Sequence, residues 1–399
     1  MKQGVTIKTR VQPDCSHCGR SVAVNKPRFR FLLPEAFTPR NFARLILGAM
    51  QRTAAVTGFV LPVRRPQWQE LQNKLRTLDL FLHAKCRSRL SSNNTATLQD
   101  AIEKVQPLEP YARIWTIEGL GYCYTLAHNE TRLGLLSGPD TGKLPASSLI
   151  PLHAGMGLAF ARRFLAVCVQ DPSATLSPGL KNVCELYNLH GREGYRGVAH
   201  SSLGFAAQIL CPGLIHEIDR GLSAIDEELL PYFWHGVGRA MYFDPRNLAP
   251  GSDSLARVLE AVERESPHAT ARLNALAGLA FAATLVNIRH PEILDEFAQH
   301  HVLRPAESRA FAGGASAAAV TWLDATADEL YRNTLSQHRP SRSDGKSAEA
   351  WNHSVHGPFR STREYYLELK KSMRLEEVFR YPMPSGVRIV PPFAAQSFA

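Results

Sequence analysis

The sequence predicts a mainly α-helical protein. Two arrangements fit: helical hairpins stacked as an irregular solenoid, or one non-repetitive helical domain, in either case with short strand-like arms at the termini. Three observations lead there. Apolar residues recur at helical spacing, as in Trp68, Leu71, Leu75, Leu78 and Leu82. A glycine among small and apolar residues returns between 110 and 320 at Gly121, Gly157, Gly204, Gly238, Gly278 and Gly313, at intervals of 36, 47, 34, 40 and 35 residues. Those intervals are near the length of a helix-turn-helix repeat. Strand signals are few, chiefly Val5 to Val11 and Val387 to Pro391.

Taken in order, residues 1–35 read as an arm, carrying Cys15 and Cys18 at ligand spacing with His17 between them. Without a second pair these thiols are at most half a zinc site. Pro39 opens a helical pattern with Phe42, Leu45, Ile46 and Met50, and a second helix carries the Trp68 stripe. Ser88 to Thr97 is a loop by composition. A helical domain over 36–335 follows from these patterns, then a polar linker over 336–361, and over 362–399 a last helix and a Pro-rich tail. Glycine in a helix costs about 1 kcal/mol relative to alanine, so its repeated use predicts close helix contacts.

Composition narrows the function. With 44% apolar and 21% charged residues the 399-residue chain can bury a large core, which excludes a disordered or collagen-like protein. The +10 charge is spread over scattered arginines, which favours anionic partners in general and gives no case for nucleic acid. The longest apolar run, Ala275 to Val286, is short for a membrane span. Residues 1–30 lack the apolar core of a secretory signal, and seven cysteines fit reduced thiols; a cytoplasmic location is expected.

One helical turn before each of the first four recurring glycines stands Glu118, His153, His200 or His235. If the repeats superpose, these side chains share a groove. His153, His200 and His235 are then candidate ligands for a divalent transition metal such as iron, copper or zinc, with structural helix histidines as the alternative. The aromatic groups around Tyr111–Tyr124 and Tyr232–Phe243 are either core or the lining of an elongated apolar cavity. His216 to Arg220 reads as a charged first helical turn, and Gly191 to Gly197 as a tight turn or an anion cradle.

The block 110–290 resembles the bacterial family known as domain of unknown function 1702, associated with gene clusters for enediyne polyketides and other natural products. The resemblance rests on Ile117-Glu118-Gly119, Leu136-Ser137-Gly138-Pro139, the His-x-Gly-x-Gly-x-Ala pattern starting at His153, and Phe233 to Phe243. His235 stands where the family pattern has Gln. The resemblance implies a biosynthetic context and a long apolar or polyene-like substrate, and no particular reaction. Joined to the histidine ladder, it leads to the expectation of an enzyme that oxidises or rearranges that substrate at a histidine-bound metal. Glu118, His153 and Arg239 fall on matching segments and are the candidate catalytic residues, as bases and as the anchor of an anionic or carbonyl group. Trp115, Tyr122, Tyr195, Trp234 and Phe243 are the candidate substrate-binding residues. A non-catalytic helical scaffold for a biosynthetic enzyme or carrier protein is the competing expectation, and a Glu118–Arg239 salt bridge is the competing role for that pair.

Overall fold

The computed structural model describes residues 65–84, 97–128, 133–244, 254–300, 303–326, 330–340, 348–349 and 351–382. Among these the fold is mainly α, with no strand. The arm with Cys15 and Cys18, the helix expected near Met50 and both strand-like arms lie outside the described residues.

The helices are α1 (Arg65–Leu82), α2 (Leu98–Val105), α3 (Pro110–His128), α4 (Leu149–Cys168), α5 (Pro172–His190), α6 (Arg196–Leu210), α7 (Ile215–Ile225), α8 (Leu230–Tyr242), α9 (Ser254–Glu265), α10 (Ala269–Val286), α11 (Pro291–His300), α12 (Pro305–Ala325), α13 (Leu330–Gln337) and α14 (Gly357–Lys371). Local chemistry starts several of them. Thr97 caps α2 while Asp100 returns a bond to the Thr97 backbone, a capping box. Pro305 opens α12, where a proline lacks only a bond that the first turn never makes.

Six helices form the core: α3, α4, α6, α8, α10 and α12 stand in a row, each packed most extensively on the next. Glycines make the seams. Gly121 of α3 lies against Leu152 of α4, and Gly155 of α4 against the Glu118 carbonyl. Gly157 meets Ala199 of α6. The α6–α8 seam is reciprocal, Gly204 on Phe233 and Gly236 on Ser201, as is α8–α10, Gly238 on Ala275 and Gly278 on His235. A Cβ on any of these glycines would come within 3.0 Å of the facing backbone. The close approach offsets the helix propensity that each glycine forfeits. At the last seam the residue is Gly314, against Ala277; Gly313, expected there from the sequence, faces Tyr381 instead.

The row is not an open solenoid, in which each unit would touch only its neighbours. It curls. Glu118 of α3 reaches Arg239 of α8 across two intervening helices, and α12 touches α4. Helix α1 packs on α3 and α10, while the Tyr111 hydroxyl donates to the Val286 carbonyl at 3.0 Å. Helix α10 is long and apolar enough to cross a membrane, but 78% of it is buried inside the fold, which accounts for its composition.

The polar linker expected over 336–361 is corrected from Trp351 onward; residues 341–347 and 350 lie outside the described residues. A π-helical turn (Asn352–His356) runs into α14, and Trp351, Val355 and Phe359 are buried against the core. Their four-residue spacing is one helix face within an otherwise polar stretch. After α14 a 3₁₀ turn (Leu375–Phe379) lies on α6, α8 and α12.

Candidate functional site

Inside the curl sits a buried polar cluster assembled from three helices of the row. Glu118 projects from α3, Ser201 from α6, and His235 and Arg239, four residues apart, from α8. Arg239 Nη2 is 3.9 Å from Glu118 Oε1, too long for a hydrogen bond, and both side chains are about nine-tenths buried. Among the described residues the carboxylate has no hydrogen bond. Arg239 Nη1 donates to Ser201 Oγ at 3.4 Å, and Ser201 Oγ is 3.2 Å from His235 Nδ1. With the hydroxyl accepting from Arg239 and donating to Nδ1, the neutral imidazole carries its proton on Nε2, which is buried without a polar partner.

Aromatic rings wall the guanidinium. Its carbon lies 5.3 Å from the Phe281 ring centre, 5.6 Å from Phe205 and 6.0 Å from Phe379. The same Phe379 and Phe281 flank His235. Burial pushes the Glu118 pKa up, opposed by the Arg239 charge, and lowers that of Arg239, opposed by Glu118. His235 is held well below the ordinary histidine value by burial and by Arg239.

Phe379 arrives on the C-terminal segment, which is fastened at both ends. Glu376 accepts from the Gly197 N–H at 2.9 Å and donates its own N–H to the Gly194 carbonyl at 2.8 Å. Beyond it Tyr381 and Asn274 exchange two hydrogen bonds of 2.6 Å. The Gly191–Gly197 segment is thus both a tight turn and an anion cradle, and the anion is the protein's own Glu376 at the start of α6. Gly194 takes φ +81° there, a conformation suited to glycine.

The histidine ladder does not converge, and the metal assignment of His153, His200 and His235 is corrected. No group of three or more His, Cys, Asp or Glu side chains fit to hold a metal occurs among the described residues. His153 uses both ring nitrogens to tie α4 to the α5–α6 turn: Nδ1 bonds the Leu149 carbonyl at 2.7 Å, and Nε2 accepts from Arg192 N–H at 2.9 Å. It stacks on Tyr195, and burial lowers its pKa to about 4. Its expected catalytic role gives way to this structural one. His200 packs edge-on against Tyr187, also lowered by burial to about 4. The physical reason is orientation: α3 and α4 pack antiparallel, as their crossed glycine contacts show, whereas α5 returns the chain between α4 and α6. One turn before a glycine is then a different depth on each helix.

The five candidate substrate-binding aromatics do not share a cavity either. Trp115 is edge-on to Tyr111; Tyr122 accepts from Arg162 at 2.6 Å; Tyr195 covers His153; Trp234 donates to Asp219 at 2.6 Å. Phe243 alone comes near the cluster, through Phe205. Asp219, expected on an exposed first turn, is buried by that Trp234 bond. A cavity of about 370 Å³ lies elsewhere, between α4 and α5, and none of the five lines it.

Sequence reasoning missed Ser201, Phe205, Phe281 and Phe379. Ser201 follows the flagged His200 directly, so its position was the available signal; Phe281 is the one aromatic in the Ala-rich stretch of α10. Compared with protein-family models, with curated proteins and with solved structures, the chain matches none.

Proposed function

We propose that this protein is an enzyme of natural-product, polyketide-type biosynthesis that receives a long apolar or polyene-like substrate on the inner face of the curled row. Arg239 holds a carbonyl or anionic group of the substrate, and Glu118 transfers a proton. The observation that carries this reading is the Glu118–Arg239 pair, two buried charges 3.9 Å apart with most of their hydrogen-bonding capacity unmet by protein groups. Ion pairs built only for stability need close geometry to offset desolvation. Perturbed ionisable groups without it are candidates for chemistry.

The roles follow from the surroundings. A carboxyl raised by burial keeps its proton nearer to neutral pH, the property a general acid needs. A guanidinium presents a fork of donors suited to a carbonyl or carboxylate. Phe205, Phe281 and Phe379 offer apolar faces to a conjugated chain. Since Phe379 covers the cluster, the substrate enters when the Leu375–Phe379 turn moves aside. The pathway context rests on the family resemblance.

The test is replacement of the gene in its host by Glu118→Gln and by Arg239→Lys, with metabolite profiling and the amount of folded protein measured together. Loss of the product with accumulation of a precursor, at unchanged protein level, is expected. An unchanged product in both strains would overturn the reading. The scaffold reading has its own support in the exposed aliphatic side chains Val167, Val169, Ile209 and Leu210 at the ends of α4 and α6. It would be favoured if product formation survived both substitutions yet fell when those four were made polar.

A further inference from the structure

The roles proposed for Glu118 and Arg239 leave His235 unused. Its Nδ1 is engaged by Ser201 Oγ at 3.2 Å, and that hydroxyl accepts from Arg239 Nη1 at 3.4 Å. The chain of bonds leaves the imidazole proton on Nε2, an atom buried without a polar partner among the described residues. A buried donor with no acceptor is costly in a folded protein, and its persistence calls for a reason.

The reason lies in what covers it. The Phe379 ring centre is 5.5 Å from the His235 ring centre and 6.0 Å from the Arg239 guanidinium carbon. Phe281 is 5.3 Å from each of those two groups and 5.3 Å from Phe379. One flat apolar ring therefore stands against the imidazole and the guanidinium together, and the space it fills is a place from which a single flat group would meet both. Phe281 is built into α10, whereas Phe379 belongs to the short Leu375–Phe379 turn, which is tied down through Glu376 to Gly197 and, just beyond, through Tyr381 to Asn274.

We propose that the space under Phe379 takes a carbonyl conjugated with the apolar chain, its oxygen accepting from both Arg239 and the Nε2–H of His235, with Phe379 standing in for the conjugated segment. Two donors on one oxygen match the two lone pairs of a carbonyl. A ligand carboxylate would crowd a second acid against Glu118, which stands 3.9 Å from the guanidinium, while a ketone or ester brings no charge. Ser201 is a positioning residue, since its hydroxyl keeps the proton of His235 on Nε2. This role for His235 rests on the inner-face reading and narrows its carbonyl or anionic group to a neutral conjugated carbonyl.

The probe is pseudoionone, an open-chain conjugated ketone, titrated into the full-length protein and followed by isotope-edited infrared difference spectroscopy of its carbonyl stretch. Saturable binding is expected, with the stretch lowered from its value in hexane by the two donors. His235→Gln keeps a donor at similar reach and retains the lowered stretch, whereas His235→Leu raises it. Ser201→Ala, a smaller change should His235→Leu fail to fold, raises it partway. Phe379→Ala binds pseudoionone about tenfold more tightly, because a cover that must open lowers the apparent affinity by the open fraction. A stretch that responds to Arg239→Lys but to neither His235→Leu nor Ser201→Ala overturns the role of His235 and leaves the inner-face reading standing. Equal affinity of wild type and Phe379→Ala overturns the assignment of the space to the ligand. A stretch indifferent to Arg239→Lys as well puts the probe elsewhere and overturns both, as does absence of saturable binding by wild type and Phe379→Ala alike.

Discussion

Among the described residues two ion pairs have both side chains about nine-tenths buried or more, and they are built differently. Glu70 and Lys74 sit one turn apart on α1, with Lys74 Nζ 3.0 Å from the carboxylate and 3.8 Å from the centre of the Tyr242 ring. Beside them the side chains of Asn73, Asn287 and Tyr242 form a hydrogen-bonded chain, Asn73 donating to Asn287 and Asn287 to Tyr242. Glu118 and Arg239 come from different helices and stand 3.9 Å apart, and the one side-chain hydrogen bond of the pair is the long one from Arg239 to Ser201. The first pair is closed on itself by short contacts and a cation–π contact, so its desolvation is largely offset. The second is left with donors and acceptors to spare in a place walled by aromatic rings. The difference separates a pair that holds α1 onto the core from the pair to which the proposed function assigns the chemistry.

That contrast can be broken by substitution. Lys74→Met removes the cation 3.0 Å from the buried Glu70 carboxylate and should cost about 3–5 kcal/mol in denaturant unfolding. A loss below about 1 kcal/mol would mean that the α1 pair is not structural. Burial holds Lys74 below its ordinary pKa, and Glu70 opposes that shift.

Acidification provides the next largest effect. His153 and His200 are lowered to about 4, and His235 is also held well below the ordinary value of 6.5. The unfolded chain therefore binds protons that the folded one refuses, and stability present above pH 6.5 falls as the pH drops toward about 4. Each imidazole contributes about 1.4 kcal/mol per pH unit in that window. Calorimetry between pH 7.5 and 4.5 should show this decline, and a flat profile would contradict the neutral buried state of all three.

Glu118 works in the opposite sense. Its folded pKa is raised, so its contribution is full below the ordinary carboxylate value and is lost as the pH rises through the folded one. The stability of wild type relative to Glu118→Gln should accordingly improve as the pH is lowered. A difference that stays constant with pH would show the carboxylate to be an ordinary ionised partner of Arg239.

A smaller effect is expected at the covering ring. Phe379→Ala should speed hydrogen exchange of the Tyr381 and Glu376 amides, whose bonds to Asn274 and Gly194 fasten the segment over the cluster. Unchanged exchange would mean that Phe379 does not hold this segment down.

The two pairs also differ in how legible they were. Glu118 stood out one turn before a seam glycine and Arg239 on a segment that resembles the family pattern, and the seams themselves are readable in sequence since helix glycines need a compensating close contact. Glu70 and Lys74 did not, because an i,i+4 ion pair ordinarily marks a solvated helix face. The helical class followed from apolar spacing, but the curl of the row did not, since it depends on contacts between helices distant in sequence. Nor could the choice between Gly313 and Gly314 be read from adjacent glycines whose side-chain directions differ by about 100° around the helix. The segment from Trp351 to Phe359 was lost among polar residues, its three apolar side chains being the whole of its signal.

The central claim is that Glu118 and Arg239 are kept for chemistry and not for stability. Thermal unfolding of the double variant Glu118→Gln/Arg239→Met, beside Glu70→Gln/Lys74→Met, tests it most directly. The account predicts that the first double variant unfolds at or above the wild-type temperature, while the second unfolds several degrees lower. The reverse order would contradict the account and make Glu118–Arg239 a structural pair.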